Sequence, residues 1–370
     1  MKAQRENRID LLRGLCLLLI FIGHAEYSFS EGFRNSRGFS DASEIFVVLA
    51  GISAVLAYFK RGEGPSFVRP WRRAGRLYSV HLLLFALKAL AAGLLLSLAS
   101  PYALPLDMNG FWSDPLGHLP GVLTLAYLPY NLDILPMYMV LLILAPFAMW
   151  LAMRSVVALL IVSALLWLAA GVGHLNLPNG ANDLGVWFFD PISWQILLVG
   201  GVLLGLRIKE GKTMLPYHPA LFNAAGVFCI AAIPIAYLAH FEMIATIFGS
   251  HYHEMASKTN VGPLRLINVA ALIYLAWNMK WVEDAANSGT FSLLRDAGRH
   301  SLAVFATGIA LSNLCAVVMK VHPDMPLASQ LLSLIIGCGL LLGLGRHLEN
   351  RRQSTLARQQ IDRPRQVAAA

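Results

Sequence analysis

The sequence predicts an all-α polytopic membrane protein of about ten transmembrane helices with both termini cytoplasmic, and three observations predict it. Of 370 residues, 57% are hydrophobic and only 14% charged, whereas a soluble domain carries about 25% charged residues. Ten apolar runs approach the roughly 20 residues that a helical crossing needs; they fall at 11–27, 43–59, 77–99, 135–153, 155–173, 192–208, 219–239, 264–281, 301–319 and 326–345. With the N-terminus inside, 23 of the 29 Lys and Arg residues lie in inner segments. Lys88 sits within the third run, and only Arg34, Arg37, Lys258, Arg265 and Lys320 fall outside. That asymmetry is the positive-inside pattern, and an even number of crossings brings both ends to the cytoplasm. The same placement excludes nucleic acid as the reason for the net charge of +8.

The first run, RIDLLRGLCLLLIFIGH, extends from Arg8 to His24. It reads as a span and not a signal peptide, because Arg13 intrudes and no small-residue cleavage site follows. Eleven residues of helix rise about 16 Å, so Arg13 and His24 occupy two depths of one helix. Ionisable groups at such depths are costly and usually functional. Neutral imidazole is the ordinary general base near neutral pH; an interfacial histidine capping a helix has the same spacing, and both readings stand. Asp41 and Glu44 enter the second run at the same outer depth. A carboxylate accepting the other ring N–H would fix the tautomer of His24, and Glu44, inside the apolar boundary, is the better placed. Acidic residues also favour a first helical turn for its own sake.

The stretch FVRPWRRAGRLY follows the second run. In a helix, its Arg69, Arg72, Arg73 and Arg76 share one face at i, i+3, i+4 and i+7. Four guanidinium groups on one face suit a polyphosphate; anchoring on anionic lipid headgroups is the competing reading. The longest outer segment, 100–135, has no Lys or Arg but holds Asp107, Asp114, His118 and Asp133 with Trp112, Tyr127 and Tyr130. Its LPGVLTLAYL stretch is too short to span and reads as an interfacial or re-entrant helix. A second outer segment, 174–191, is rich in Asn and Asp with Trp187. Both suit sugar hydroxyls, and both also resemble ordinary interfacial loops.

Lys258 and Arg265, in KTNVGPLR, sit on the side that cations avoid and are candidates for an anionic substrate group. His251, His253 and Glu254 have no complementary ligand cluster, so no metal site is expected. The four cysteines lie far apart in apolar runs with no CxxC pair and read as core residues. Gly201 with Gly205, and Gly339 with Gly343, suggest close helix packing; Pro146 and Pro234 suggest kinks. Residues 1–348 form one membrane domain, and 349–370 read as a basic, disordered tail.

The first-run pattern, an arginine and a histidine separated by ten residues, resembles the first-helix motif of membrane-bound acyltransferases of the acyltransferase 3-like superfamily. SDASEIFVVLAGIS followed by FVRPWRRAGRLY resembles that superfamily's second helix and basic loop. LDILPMYMVLLILAP, KTNVGPLRLIN and GRHSLAVFATGIALS resemble, more narrowly, the OpgC family, whose best-known members attach succinyl groups to osmoregulated periplasmic glucans.

The resemblance implies a ten-helix transmembrane fold, a cytoplasmic acyl-CoA donor and an acceptor on the opposite face. It makes His24 the catalytic histidine and Arg13 the motif arginine, paired with Asp10. The expectation is an integral O-acyltransferase of the bacterial inner membrane, moving an acyl group, succinyl or acetyl, to a periplasmic glucan. Acyl-CoA serves as co-substrate and no cofactor is permanently bound. Catalysis falls to His24 and Glu44, and donor binding to Arg13, Arg69, Arg72, Arg73 and Arg76. Substrate contacts fall to Asp133, Tyr138, Lys258 and Arg265. Tyr138, Trp194 and Asn268 are the candidates for the oxyanion donor. A transporter or flippase of an anionic solute is the alternative, disfavoured because no internal repeat is visible.

Overall fold

The computed structural model describes residues 6–97, 106–240 and 251–367. Lys2, Arg5 and part of the long outer segment lie outside those residues. Every one of the ten apolar runs is helical. The helices are α1 (Asn7–His24), α2 (Ser30–Asn35), α3 (Ala42–Tyr58), α4 (Val68–Ser97), α5 (Asn109–Ser113), α6 (Pro115–Thr124), α7 (Ile134–Arg154) and α8 (Val156–Gly171). They continue with α9 (Pro191–Lys209), α10 (Pro219–His240), α11 (His251–Met255), α12 (Pro263–Asn278), α13 (Lys280–Asn287), α14 (Ser292–Arg299), α15 (Ser301–Val321) and α16 (Leu327–Val367). A two-residue hairpin, β1 (Phe59–Lys60) against β2 (Gly64–Pro65), joins α3 to α4.

Among the described residues, six helices are long and apolar enough to cross a membrane: α4, α7, α9, α10, α15 and α16. Helices α3 and α8 are apolar but shorter. Helix α1 is 18 residues long but carries Arg8, Asp10 and Arg13, charges that a plain lipid-facing span does not hold. Helix α6, Pro115–Thr124 with Leu125 in the left-handed region as its cap, covers the LPGVLT part of the stretch LPGVLTLAYL and leaves its last four residues outside the helix. The basic segment after the second run opens α4, one 30-residue helix.

Among the described residues, the two largest apolar clusters hold the bundle. One joins Cys16, Phe21, Leu77, Phe85, Phe305 and Leu341 with Met108 and Tyr127 of the outer segment. The other joins Val48, Ile52, Leu141, Met149, Trp194 and Leu198. Helices α3 and α9 meet backbone to backbone: a Cβ on Gly201 would overlap the carbonyl oxygen of Val48, and one on Gly205 would press on Val55 and Ile52. That is the close packing expected of this glycine pair. The pair Gly339 and Gly343 differs, having open space where a Cβ would stand; the neighbouring Gly337 and Gly345 instead face Phe21 and Ala297. A second close seam joins α1 and α14, where Gly14 and Gly298 sit against the carbonyls of Leu294 and Asp10.

The final helix does not end at Glu349. It runs to Val367, so the segment expected to be disordered is helical there. Glu349 is buried and holds the helix to its neighbours, with His300 at 3.0 Å and Arg299 at 3.6 Å. Pro146 and Pro234 lie inside continuous helices.

Because the α3–α9 seam is backbone against backbone, neither helix can yield to an added methyl. Gly201→Ala is expected to cost about 1–3 kcal/mol and lower the thermal midpoint in detergent by several degrees. Gly339→Ala should leave it unchanged.

Candidate functional site

His24 stands in the last turn of α1. Its Nδ1 donates to the carbonyl of Ile20, one turn back, at 2.7 Å. That bond fixes the tautomer, since the nitrogen that donates holds the proton and Nε2 keeps the lone pair. The orienting role expected of Glu44 therefore belongs to a backbone carbonyl. Glu44 is 0% exposed and fully engaged elsewhere. It accepts from Nη1 of Arg265, from the backbone N–H of Asp41 at 3.1 Å and from the Ser43 hydroxyl at 3.1 Å.

Asp41 completes a reciprocal capping box at the start of α3, the arrangement that satisfies two orphan N–H groups at a helix start. It also takes the Lys258 ammonium at 2.6 Å. Burial pushes the Asp41 carboxyl up, but Lys258 and Arg265 outweigh it and hold the group well below the usual carboxylate range. Lys258 and Arg265 are thus matched by the two acids of α3.

His24, Asp41, Lys258 and Arg265 line an outer cavity of about 520 Å3. Its walls come from both outer segments, with Asp107, Tyr130, Asn131 and Asp133 from one and Asn182, Asp183 and Phe188 from the other. Asn179 ties the segments together, accepting from Leu128 N at 2.8 Å and donating to Leu128 O at 3.0 Å. Buried Lys88, from α4, donates to the Tyr130 carbonyl and holds the same wall. Carboxylates, amides and aromatic faces around an open cavity can bind a hydroxyl-rich ring.

Below it lies a narrow chamber lined by His24, Arg34, Arg37, Asp41, Asn131 and Asp133, with Ile134 and Phe305 at its floor. A further chamber shares Ile134 and Phe305 and continues past Phe46 and Tyr138 to Arg73, Leu77 and Ser301. The three spaces stand end to end, from the outer loops to the start of α4.

Of the four clustered arginines, only Arg73 lines this passage. The buried stripe of α4 is Pro70, Ala74 and Leu77, and Arg73 borders it. Arg69 lies 5.7 Å from the Tyr58 ring, while Arg72 and Arg76 are exposed. Arg13 is 5.5 Å from the ring of Phe46, a wall of the inner chamber. Its Nε is buried with no hydrogen-bond partner among the described residues. Asp10 pairs with Arg299 across the α1–α14 seam at 3.3 Å.

Tyr138 lines the passage. Trp194 donates instead to the carbonyls of Lys258 and Thr259, each at 3.2 Å. Asn268 accepts from Ser40 N at 3.0 Å and Ser40 Oγ at 2.7 Å. Both brace loops, and neither lines any of the three spaces. His251, His253 and Glu254 are exposed. Sequence reasoning did not single out Arg34, Arg37, Asn131 or Phe305. The two arginines carried a usable signal as outer-face cations; Phe305 carried none.

A family model described as OpgC protein matches residues 5–353. That stretch holds every chamber-lining residue named above. The chain belongs to the OpgC family. No curated protein and no solved structure matches it.

Asp133 caps the start of α7 without a side-chain cap bond, and burial pushes its carboxyl up to about 6. The folded state therefore favours its protonated form. That contribution is complete below the ordinary carboxylate pKa and is lost as the pH rises through about 6. Asp133→Asn, which cannot ionise, is expected to keep a flatter thermal midpoint than the parent protein between about pH 4 and pH 8. Parallel profiles would contradict a buried, proton-retaining Asp133.

Proposed function

We propose that this OpgC-family chain is an integral membrane O-acyltransferase of the bacterial inner membrane. It moves an acyl group from cytoplasmic acyl-CoA to a hydroxyl of a periplasmic glucan. All ten apolar helices cross the bilayer, both termini lie inside, and the chain falls within the acyltransferase 3-like superfamily. The observation that carries this reading is the row of three chambers, beginning at Arg73 and ending at His24 and a sugar-sized outer cavity.

The anionic end of the donor meets Arg69, Arg72, Arg73 and Arg76, whose fixed charges suit phosphates. The slim thioester arm enters between α3, α4 and α15, past the wall backed by Arg13. Phe305 and Ile134 exclude water around it, which protects a reactive thioester from hydrolysis. The glucan occupies the outer cavity among Asp107, Asn131, Asp133 and Asn182.

His24 Nε2 accepts the proton of a glucan hydroxyl as that oxygen attacks the thioester carbonyl. The C–S bond then breaks, and the imidazolium returns the proton to the departing sulfur. The new bond is an ester, and atoms and charge balance without a further reactant. The Ile20 carbonyl, accepting from Nδ1–H, stabilises the imidazolium between the two transfers. Glu44 acts as a positioning residue, through Arg265 and the α3 cap.

The test is transfer by purified protein from labelled succinyl-CoA or acetyl-CoA to a glucan acceptor. Loss of the general base is expected to cost His24→Ala about 10²–10⁴-fold in rate, with an unchanged elution profile and thermal midpoint. Activity near the parent level in a folded His24→Ala protein would overturn the assignment.

A further inference from the structure

We propose that the cleft between the β1–β2 hairpin and the ends of α7 and α9 binds an anionic phospholipid of the adjoining leaflet, with the lipid phosphate held by Arg61, Arg207 and Lys209. The proposal is independent of the acyl-transfer reading and needs only a multi-pass membrane protein.

The cleft has a volume of about 590 Å3. It shares no lining residue with the three spaces that run from Arg73 to the outer loops. Two walls of opposite character form it. Arg61 comes from the hairpin, and Arg207, Lys209, Glu210 and Lys212 from the last turn of α9 and the residues after it. The other wall is Met153 near the end of α7, Val156 at the start of α8, and Leu203 and Leu206 of α9. The hairpin lies against α7 here, since a Cβ on Gly64 would stand 3.5 Å from the Met153 sulfur.

Arg61 and Arg207 are remote in sequence, yet the fold brings both to one carboxylate. The hydrogen bond and charge of Lys212, with smaller contributions from Arg61 and Arg207, hold Glu210 below its ordinary pKa. Glu210 is matched by Lys212 at 2.7 Å, and Lys60 of the hairpin by Glu63 at 3.0 Å. Among the described residues, Arg61, Arg207 and Lys209 form no ion pair. Arg207 is oriented by its Nε, which donates to the Thr213 carbonyl at 3.1 Å. The cleft therefore holds a surplus of cations whose N–H groups suit a phosphate.

The apolar wall decides which phosphate. Met153 is 55% exposed and Val156 46%. A soluble phosphate would use the cations and leave that wall uncovered, whereas a lipid covers it with its acyl chains. The level in the membrane agrees. The Arg154 guanidinium lies 4.0 Å from the ring of Trp150, one turn back on α7, and tryptophan favours the border between headgroups and hydrocarbon. From Val156 the exposed residues Val157, Leu160 and Ile161 continue along α8, an apolar track on which the chains can lie. A basic pocket between spanning helices is the general form of an anionic headgroup site.

The experiment titrates the purified full chain in detergent with phosphatidylglycerol, phosphatidylcholine or glycerol 3-phosphate. It reads the thermal midpoint and counts bound lipid by native mass spectrometry. Phosphatidylglycerol is expected to raise the midpoint and stay bound; the other two, at the same concentration, should do neither. The double variant Arg61→Gln/Arg207→Gln should weaken phosphatidylglycerol binding on the order of tenfold. The pair Arg351→Gln/Arg358→Gln, exposed on α16, removes the same charge away from the cleft and should leave binding unchanged. If the first double variant does not fold, Lys209→Gln carries the same test with a smaller loss. Unchanged phosphatidylglycerol binding in the folded cleft variant would overturn the proposal. Equal losses in both pairs would overturn it too, pointing to general attraction of a basic face. Stabilisation by glycerol 3-phosphate equal to that by phosphatidylglycerol would show a soluble phosphate site and overturn the lipid assignment.

Discussion

Two carboxylates enter the apolar bundle at the start of α3, and each must be met by a cation. Asp41 takes Lys258, from the segment that leads into α12, and Glu44 takes Arg265, in the first turn of α12. Unmatched, either acid would be a buried charge, and breaking such a pair costs about 3–5 kcal/mol. Much of the outer half follows from this neutralisation. It anchors the capping box, and hence the level at which α3 begins. It draws the 256–265 segment over the bundle, where Trp194 fastens it through the Lys258 and Thr259 carbonyls. It also occupies the acids near His24, so the imidazole is oriented by its own helix.

The inner end is tied by a second set of charges. Arg299 reaches Asp10 and Asp296, Arg346 meets Asp296 at 3.0 Å, and Glu349 meets His300 at 3.0 Å. This network joins α1, α14, α15 and α16 across a seam that only glycine permits. Held by ions at both ends, the bundle can leave its middle lined by Phe46, Tyr138, Ile134 and Phe305. A passage built in this way suits a reaction whose donor and acceptor never share a compartment. Its floor residues, Ile134 and Phe305, are apolar, and in the proposed reaction they would keep water from the thioester.

Much of this was legible in the sequence. The apolar runs gave the helices, and the spacing of Arg13 and His24 put a cation and an imidazole at two depths of α1. What was not legible is which face of each helix meets which neighbour. A helix apolar all round has no polar side to mark its packed stripe, so the four arginines of α4 looked equivalent although only Arg73 turns inward. Glu44 looked like the partner of His24 because the two share a depth, yet depth does not give azimuth. The GxxxG spacing was right for Gly201 and failed for Gly339 for the same reason.

The most direct test of a two-sided passage is acyl transfer across a sealed membrane. Protein would be reconstituted in proteoliposomes in one orientation, with labelled acyl-CoA supplied only to the Arg73 side and glucan only to the His24 side. The account predicts acylated glucan from that arrangement, dependent on His24, and none when the two substrates are exchanged between compartments. Product formed only when donor and acceptor share a compartment would contradict it.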